Sequence, residues 1–161
     1  MTRTFLQILL LLVATNGAPV LAAYFMGRRG DLPVDFGKRL GDGRALFGSS
    51  KTWRGLLAAT LAACLLSMLL GYSPLFGLTF GALAMAGDLL SSFVKRRSGL
   101  EPSDQSLGWD QLPESLLPSL YAVAVLDLPW WHAVLLPIAF MLVEILISKP
   151  LFKLHIRKRP Y

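Results

Sequence analysis

Charge is scarce in this sequence. Only 16% of its 161 residues are charged and 54% are hydrophobic, whereas a soluble domain usually carries about a quarter charged residues. A mean hydropathy of +0.54 accompanies that scarcity. With apolar runs near the length that crosses a bilayer, this excludes an ordinary soluble domain and points to a membrane protein. Cysteine is nearly absent. Cys64 is the only one and lies in an apolar run, so a disulfide framework and a zinc site are both excluded. It reads as a small buried apolar residue. Histidine is equally rare: His132 and His155 fall at predicted helix ends on opposite sides of the membrane, and neither suggests catalysis. Internal repeats are missing too. Transporters tend to show repeats and helices interrupted near mid-membrane, so a small transporter or a non-enzymatic assembly subunit is the weaker reading.

What is present is apolar and periodic. Five runs stand out, at about Phe5 to Met26, Leu56 to Leu70, Pro74 to Val94, Leu112 to Leu126 and Pro129 to Leu151. Each is near the ~17–25 residues a spanning helix needs. The second and fourth are short and must use flanking residues or a thinned bilayer. Pro118 and Glu114 weaken the fourth. The predicted fold is all-α, a single integral membrane domain over 1–161 built from about five transmembrane helices.

Basic residues alternate between the connections. Arg28, Arg29, Lys38, Arg39, Arg44, Lys51 and Arg54 lie between runs one and two, and Lys95, Arg96 and Arg97 follow run three. Lys153, Arg157, Lys158 and Arg159 fill the tail, while Gly71-Tyr72-Ser73 and Asp127-Leu128-Pro129 carry none. Basic residues near helix ends stay in the cytoplasm. Loops 27–54 and 95–111 and the C-terminus are therefore expected in the cytoplasm of a cell inner or plasma membrane, with the N-terminus outside. Trp130 and Trp131 fit an aromatic anchor on the outer side. Met1 to Ala23 also resembles a signal peptide. That reading would export seven basic residues, and Asn16 and Pro19 sit badly in a cleaved segment.

The net charge of +6 does not point to nucleic acid, because most of the chain is apolar run. It suits the cytoplasmic face and anionic ligands. Asp88 lies near the cytoplasmic end of run three, and an ionisable residue in a membrane helix is a functional hypothesis by default. Helical spacing puts Asp88, Ser92 and Lys95 on one face. Pairing of Asp88 with Lys95 or Arg96 at the interface is the plain alternative. Gly77, Gly81 and Ala84 read as a helix-packing face. Glu144, in the last run, reads as a structural partner between helices. Two carboxylates, Asp88 and Asp110, flank the cluster Lys95-Arg96-Arg97. Mg²⁺ takes one or two carboxylates plus substrate phosphates, and Lys and Arg neutralise the remaining oxygens. In the first loop, glycines let backbone amides approach phosphate, and Lys51, Thr52 and Arg54 begin a helix whose N-terminus favours anions. Gly43 to Thr52 is no Walker loop: the spacing between Gly48 and Lys51 is wrong and no strand precedes it. Asp42-Gly43-Arg44 lacks the residues that complete a CDP-alcohol phosphotransferase motif.

Several strings together resemble the CDP-archaeol synthase family. Asp35-Phe36-Gly37-Lys38, Asp42-Gly43-Arg44, Leu46-Phe47-Gly48 and Lys51-Thr52-Trp53-Arg54-Gly55 look like its first loop. Gly87-Asp88, Ser92-Phe93-Val94-Lys95-Arg96-Arg97 and Asp110-Gln111 look like its second. Asn16-Gly17-Ala18-Pro19 resembles its first-helix motif. The Ser-x-x-Lys-Arg string is also similar to phosphatidate cytidylyltransferases, but the Lys-Asp pair and His-Gly-Gly stretch of that larger family are missing. The resemblance implies five transmembrane helices and a cytoplasmic site. It implies a Mg²⁺-dependent transfer of a cytidylyl group from CTP to a membrane lipid phosphate. On this reading Asp88 and Asp110 hold the metal, and Lys51, Arg54, Lys95 and Arg96 are the catalytic phosphate holders. Asn16, Asp42, Thr52, Ser92 and Arg97 contact substrate or orient ligands. Arg97 and Lys38 also read as plain surface charges. The motifs leave open an archaeal ether lipid, diacyl phosphatidate or another lipid phosphate, and the oligomeric state.

Overall fold

In the computed structural model of the chain, residues 2–99 and 111–153 are described. They form α1 (Thr2–Met26), α2 (Trp53–Leu69), α3 (Pro74–Arg97), α4 (Gln111–Val125) and α5 (His132–Lys153). The expected runs match these helices to within a few residues. The architecture is all-α, and the described residues add only two isolated bridges, both in the loop between α1 and α2. Each helix packs on its neighbour in sequence, and α5 returns to α1 to close the bundle.

Local chemistry accounts for the boundaries. Thr52 caps α2: its hydroxyl accepts the Gly55 N–H at 3.2 Å. Ser73 caps α3 through the Phe76 N–H at 3.1 Å, and Pro74 opens that helix. Pro at the first position costs nothing, since its missing N–H has no helical partner there. Pro118 lies inside α4 and is buried. The helix continues through it, so the weakness expected of the fourth run does not break it.

The outward faces are apolar. On α2, Leu57, Leu61, Leu65 and Leu69 recur every fourth residue and are 56–83% exposed. Rotated to the opposite side, Gly55, Ala59, Ala63 and Ser67 are buried. A helix with leucine outside and small residues inside is built for a lipid surround. By length and composition, α1 and α3 are long enough to cross a membrane, while α2 and His132–Ser148 of α5 are apolar but shorter. Trp130, in the turn before α5, is exposed.

The small residues set the helix spacing, as the sequence predicts for Gly77 and Gly81. A Cβ on Gly77 would lie 2.6 Å from the Ala63 carbonyl, and one on Gly81 2.9 Å from the Thr60 Cα. Gly87 does the same for α4, because its Cβ would run into the Pro113 carbonyl and lie 2.7 Å from the Glu114 Cα. The backbones themselves touch there, so dispersion contacts replace the hydrophobic drive that lipid cannot supply.

The core is divided along the bundle axis. At one end Ile8, Leu11, Phe76, Phe80, Leu136 and Phe140 form an apolar cluster. Toward the other end the buried residues turn polar: Ser91, Ser92, Arg96, Gln111, Glu114 and Ser115 are all buried. Burying polar groups in an apolar bundle is costly and demands partners for them, so this second end is where chemistry belongs. His132 lies at the apolar end, stacked on Trp131 with ring centroids 3.8 Å apart. Its ring also lies 5.8 Å from that of Phe5.

Candidate active site at the polar end of the bundle

The loop between α1 and α2 is organised by one buried carboxylate. Asp35 is 4% exposed. Its Oδ1 accepts the Gly37 N–H at 2.9 Å, and its Oδ2 accepts the Phe47 and Gly48 N–H groups, each at 2.9 Å. Burial pushes this carboxyl up, but the backbone donors together outweigh it and hold it below the ordinary carboxylate value. The amides of Gly37 and Gly48 are thus spent on Asp35. The expectation that loop glycines present amides to phosphate gives way there to a loop brace. Gly48 sits at φ +94°, a conformation that glycine adopts without strain.

That brace makes a testable prediction. Asp35→Asn places an NH₂ donor among N–H donors and costs about 1–3 kcal/mol, the range for an unsatisfied buried group. Faster amide exchange at Phe47 and Gly48, with the helices still protected, is the expected readout. The depressed carboxyl adds stability that is fully present above the unfolded value of about 3.9. It is lost as pH falls through the lower folded value. The wild-type loop should therefore loosen only in strong acid.

The braced loop then delivers Lys51. The Val34 N–H donates to the Lys51 carbonyl at 2.8 Å, and the Trp53 N–H to the Leu32 carbonyl at 3.0 Å. This fixes Lys51 just before α2, where its Nζ reaches Asp88 Oδ1 on α3 at 2.5 Å. The two side chains come from separate loops' motifs and are 23% and 17% exposed. Asp88 therefore pairs with Lys51 from the loop before α2, rather than being explained by its own helix alone. Ser91 donates to the Asp88 carbonyl at 2.9 Å. Ser92 is buried on α3 beside them in sequence, and Lys95 is half-buried.

A second junction ties the same loop to the end of α3. Arg97 Nη1 bonds Asp42 Oδ2 at 2.6 Å, and its Nη2 donates to the Ala45 carbonyl at 2.5 Å. In return, Arg44 Nη1 donates to the Arg97 carbonyl and to that of Arg96. A cation on the last carbonyls of a helix is also favoured by the helix dipole. The backbone N–H of Arg44 and the Arg97 guanidinium hold the Asp42 carboxyl below its usual value. Asp42 and Arg97, expected at the substrate, are here partners of each other.

Three other expected site residues are engaged in the scaffold. Arg54 donates to the carbonyls of Gly27 at 2.9 Å and Arg29 at 2.6 Å, and pairs with Asp31 at 3.3 Å. It ties the end of α1 to α2. Thr52 uses its hydroxyl as the α2 cap. Asn16 Nδ2 donates to the Leu12 carbonyl of its own helix at 3.1 Å. Arg96 is buried at 5% exposure. Asp110, the second expected metal ligand, lies outside the described residues.

Some contributors carry a weaker signal in the sequence. Asp35 carried a detectable signal, because Asp two residues before Gly commonly bonds the i+2 amide. Glu114 was read only as a helix weakener. It is a buried carboxylate in the first turn of α4, against Gly87. The rule that singled out Asp88 applies to it equally.

The sequence profile of the CarS-like CDP-archaeol synthases matches residues 1–76. The CDP-archaeol synthase of Pyrococcus furiosus is 34% identical over 140 residues, covering 78% of this chain and 84% of that one. The chain belongs to the CDP-archaeol synthase family. The synthase of Hyperthermus butylicus is 37% identical over 118 residues, 68% of this chain and 67% of its own. A solved intramembrane enzyme for archaeal membrane lipid biosynthesis superimposes with a TM-score of 0.72 at 31% identity. That match spans 88% of this chain and 90% of the other. The five-helix bundle is therefore an intramembrane enzyme fold, and its apolar outer faces are lipid-facing. The family's matched segment contains α1, α2 and the braced loop that positions Lys51, while Asp88 lies beyond it on α3.

Proposed function

We propose that this chain transfers a cytidylyl group from CTP to a membrane lipid phosphate, releasing pyrophosphate and leaving a CDP-lipid. The meeting of Lys51 and Asp88 carries the reading. A cation and a carboxylate from two motifs converge at the polar end of a lipid-embedded bundle. In the reaction, a lipid phosphate oxygen bonds to the α-phosphorus of CTP, and the bond from that phosphorus to the β-phosphate oxygen breaks. Both reactants are anions, so the site must neutralise charge and hold them in line.

Mg²⁺ fits the donor chemistry. Asp88 is a hard oxygen donor whose position already attracts a cation, the Lys51 ammonium at 2.5 Å. Mg²⁺ takes one or two carboxylates and most of its other ligands from phosphate and water. When bound, the ion neutralises phosphate charge and assists departure of pyrophosphate. Asp88 would hold it, and Asp110 is the second ligand that the family resemblance implies. Lys51, Lys95 and Arg96 contact phosphate oxygens, and Ser92 orients them. Arg54, Thr52, Asp42, Arg97 and Asn16 act through the scaffold that presents these groups.

The chain works as one domain, with loops 27–54 and 95–111 and the C-terminus on the cytoplasmic side, where CTP is found. The distribution of basic residues supports that side. A membrane-impermeant thiol reagent should reach a cysteine at Gly41 from the cytoplasm alone. Reaction only from outside reverses the orientation. The family points to an archaeal-type ether lipid phosphate as acceptor, and diacyl phosphatidate is the alternative. The test is pyrophosphate release by purified, folded protein given CTP, Mg²⁺ and either lipid phosphate. Release with one and not the other names the lipid. No release with any lipid phosphate rejects cytidylyl transfer.

A further inference from the structure

The first loop carries a large aromatic residue that the site does not use. Phe36 follows the buried Asp35, yet its side is 63% exposed. Its backbone lies at φ +51°, a left-handed conformation that a bulky side chain rarely adopts and that glycine would take freely. Such strain persists where surrounding structure imposes it. Here the Asp35 brace imposes it, and the Phe36 N–H closes back on the Pro33 carbonyl at 3.1 Å.

The direction in which the ring is turned is informative. It stands against Trp53, with ring centroids 6.5 Å apart. Trp53 is 43% exposed and lies one step of four residues before Leu57. It therefore tops the exposed ridge Leu57, Leu61, Leu65 and Leu69, which is the lipid-facing side of α2. Leu32, bonded through its carbonyl to the Trp53 N–H, is 50% exposed beside it. The apolar surface of the bundle thus continues past the end of the helix onto the loop. Lys38 and Arg39 follow in the chain and are exposed. Aromatic rings close in sequence to exposed basic side chains, at the rim of a lipid-facing surface, match the headgroup layer of a bilayer in both polarity and charge.

We propose that Phe36, backed by Trp53 and Leu32, is an interfacial anchor whose ring seats in the headgroup region of the membrane. Lys38 and Arg39 lie over the lipid phosphates. The anchor holds the loop, and with it Lys51, at the depth where a lipid headgroup meets the site. This explains why a strained aromatic stands where glycine is the relaxed choice.

Spin labelling measures the depth directly. In a Cys64→Ala background, a nitroxide is attached at Phe36→Cys, at Leu61→Cys on the ridge and at Gly41→Cys in the loop. Gly41 has open space around it. The protein is placed in vesicles of diacyl phosphatidylcholine and phosphatidylglycerol, and collisions with oxygen and with an aqueous nickel complex are compared. The oxygen-to-nickel ratio at position 36 should exceed that at 41 several-fold and fall short of that at 61. Equal ratios at 36 and 41 overturn the proposal. Phe36→Gly gives a second, independent reading, since the backbone accepts it. It should keep its thermal stability, raise the KM for lipid phosphate in vesicles several-fold and leave the KM for CTP unchanged. A raised CTP KM instead would make the ring a platform for the nucleotide base. Lost stability with unchanged kinetics would make it packing. Either result rejects the anchor. The depth measurement needs no turnover, so its failure is separate from failure of the cytidylyl-transfer reading.

Discussion

Asp88→Asn should lower pyrophosphate release by on the order of 100-fold or more, with the bundle still folded. The expectation rests on where Asp88 sits. Its carboxylate, 17% exposed, is held 2.5 Å from Lys51 at the polar end. Asparagine keeps the shape and one acceptor oxygen, so Lys51 retains a neighbour and the helix contacts stay. What is lost is one negative charge at the point where Mg²⁺ and phosphate must be held together. Removing a single preorganised electrostatic contact typically costs ~10²–10³ in rate. The loss should appear with a weakened response to Mg²⁺ in a titration at saturating CTP. Wild-type rates from the variant would remove Asp88 from the site. The helix packing stays, so the variant should remain folded, with an unfolding temperature lowered only by the loss of the charge that faces Lys51.

The second large effect concerns assembly, not chemistry. Gly87→Ala should destabilise the protein by about 3 kcal/mol or more, at or above the upper end of the usual overpacking range. An added methyl there runs into the Pro113 carbonyl and lies 2.7 Å from the Glu114 Cα. Both obstacles are backbone, so no rotamer change relieves the clash. Helices α3 and α4 must separate, and the buried Glu114 and Gln111 shift with α4. A fall in the detergent unfolding temperature, with activity lost in proportion, is the expected result. Gly17→Ala is the control, because nothing stands within 4 Å of its Cβ position. If Gly87→Ala matched that control in stability, the close α3–α4 contact would be refuted.

The two predictions differ in how they became legible. Asp88 stood out in the sequence because a charge inside an apolar run has few explanations. Gly87 was visible only as a neighbour in a motif. Its importance depends on α4 lying against it, and no local pattern in residues 74–97 specifies that neighbour. The small stripe Gly77, Gly81 and Ala84 was readable as packing, since glycine and alanine at helical spacing serve close approach in lipid. Which helix fills the stripe was not readable. Structure answers that Ala63 and Thr60 of α2 do so at Gly77 and Gly81.

The basic residues show the same limit more sharply. By type alone, Lys51, Arg54, Lys95 and Arg96 were interchangeable phosphate holders, with Arg97 a substrate contact or a surface charge. In the fold, Arg54 braces the carbonyls of Gly27 and Arg29, Arg97 clasps Asp42, and Lys51 meets Asp88. A guanidinium satisfies a backbone carbonyl as readily as a phosphate, so residue type cannot separate the two uses. Asp35 is the opposite case: the sequence motif included it, but only the N–H groups of Phe47 and Gly48 bonded to it reveal it as the loop's organising anion.

Membrane residence, the number and limits of the helices, and the family were determined by the sequence itself. Each depends on composition or on order along the chain, which need no knowledge of neighbours. The polar end of the core, the pairing of Lys51 with Asp88, and the division of arginines between scaffold and site were decided by tertiary structure. They depend on distances of a few ångströms between residues 23 to 55 positions apart. Hydrogen bonds and ion pairs act only at that range, so their partners exist once the helices have packed and not before.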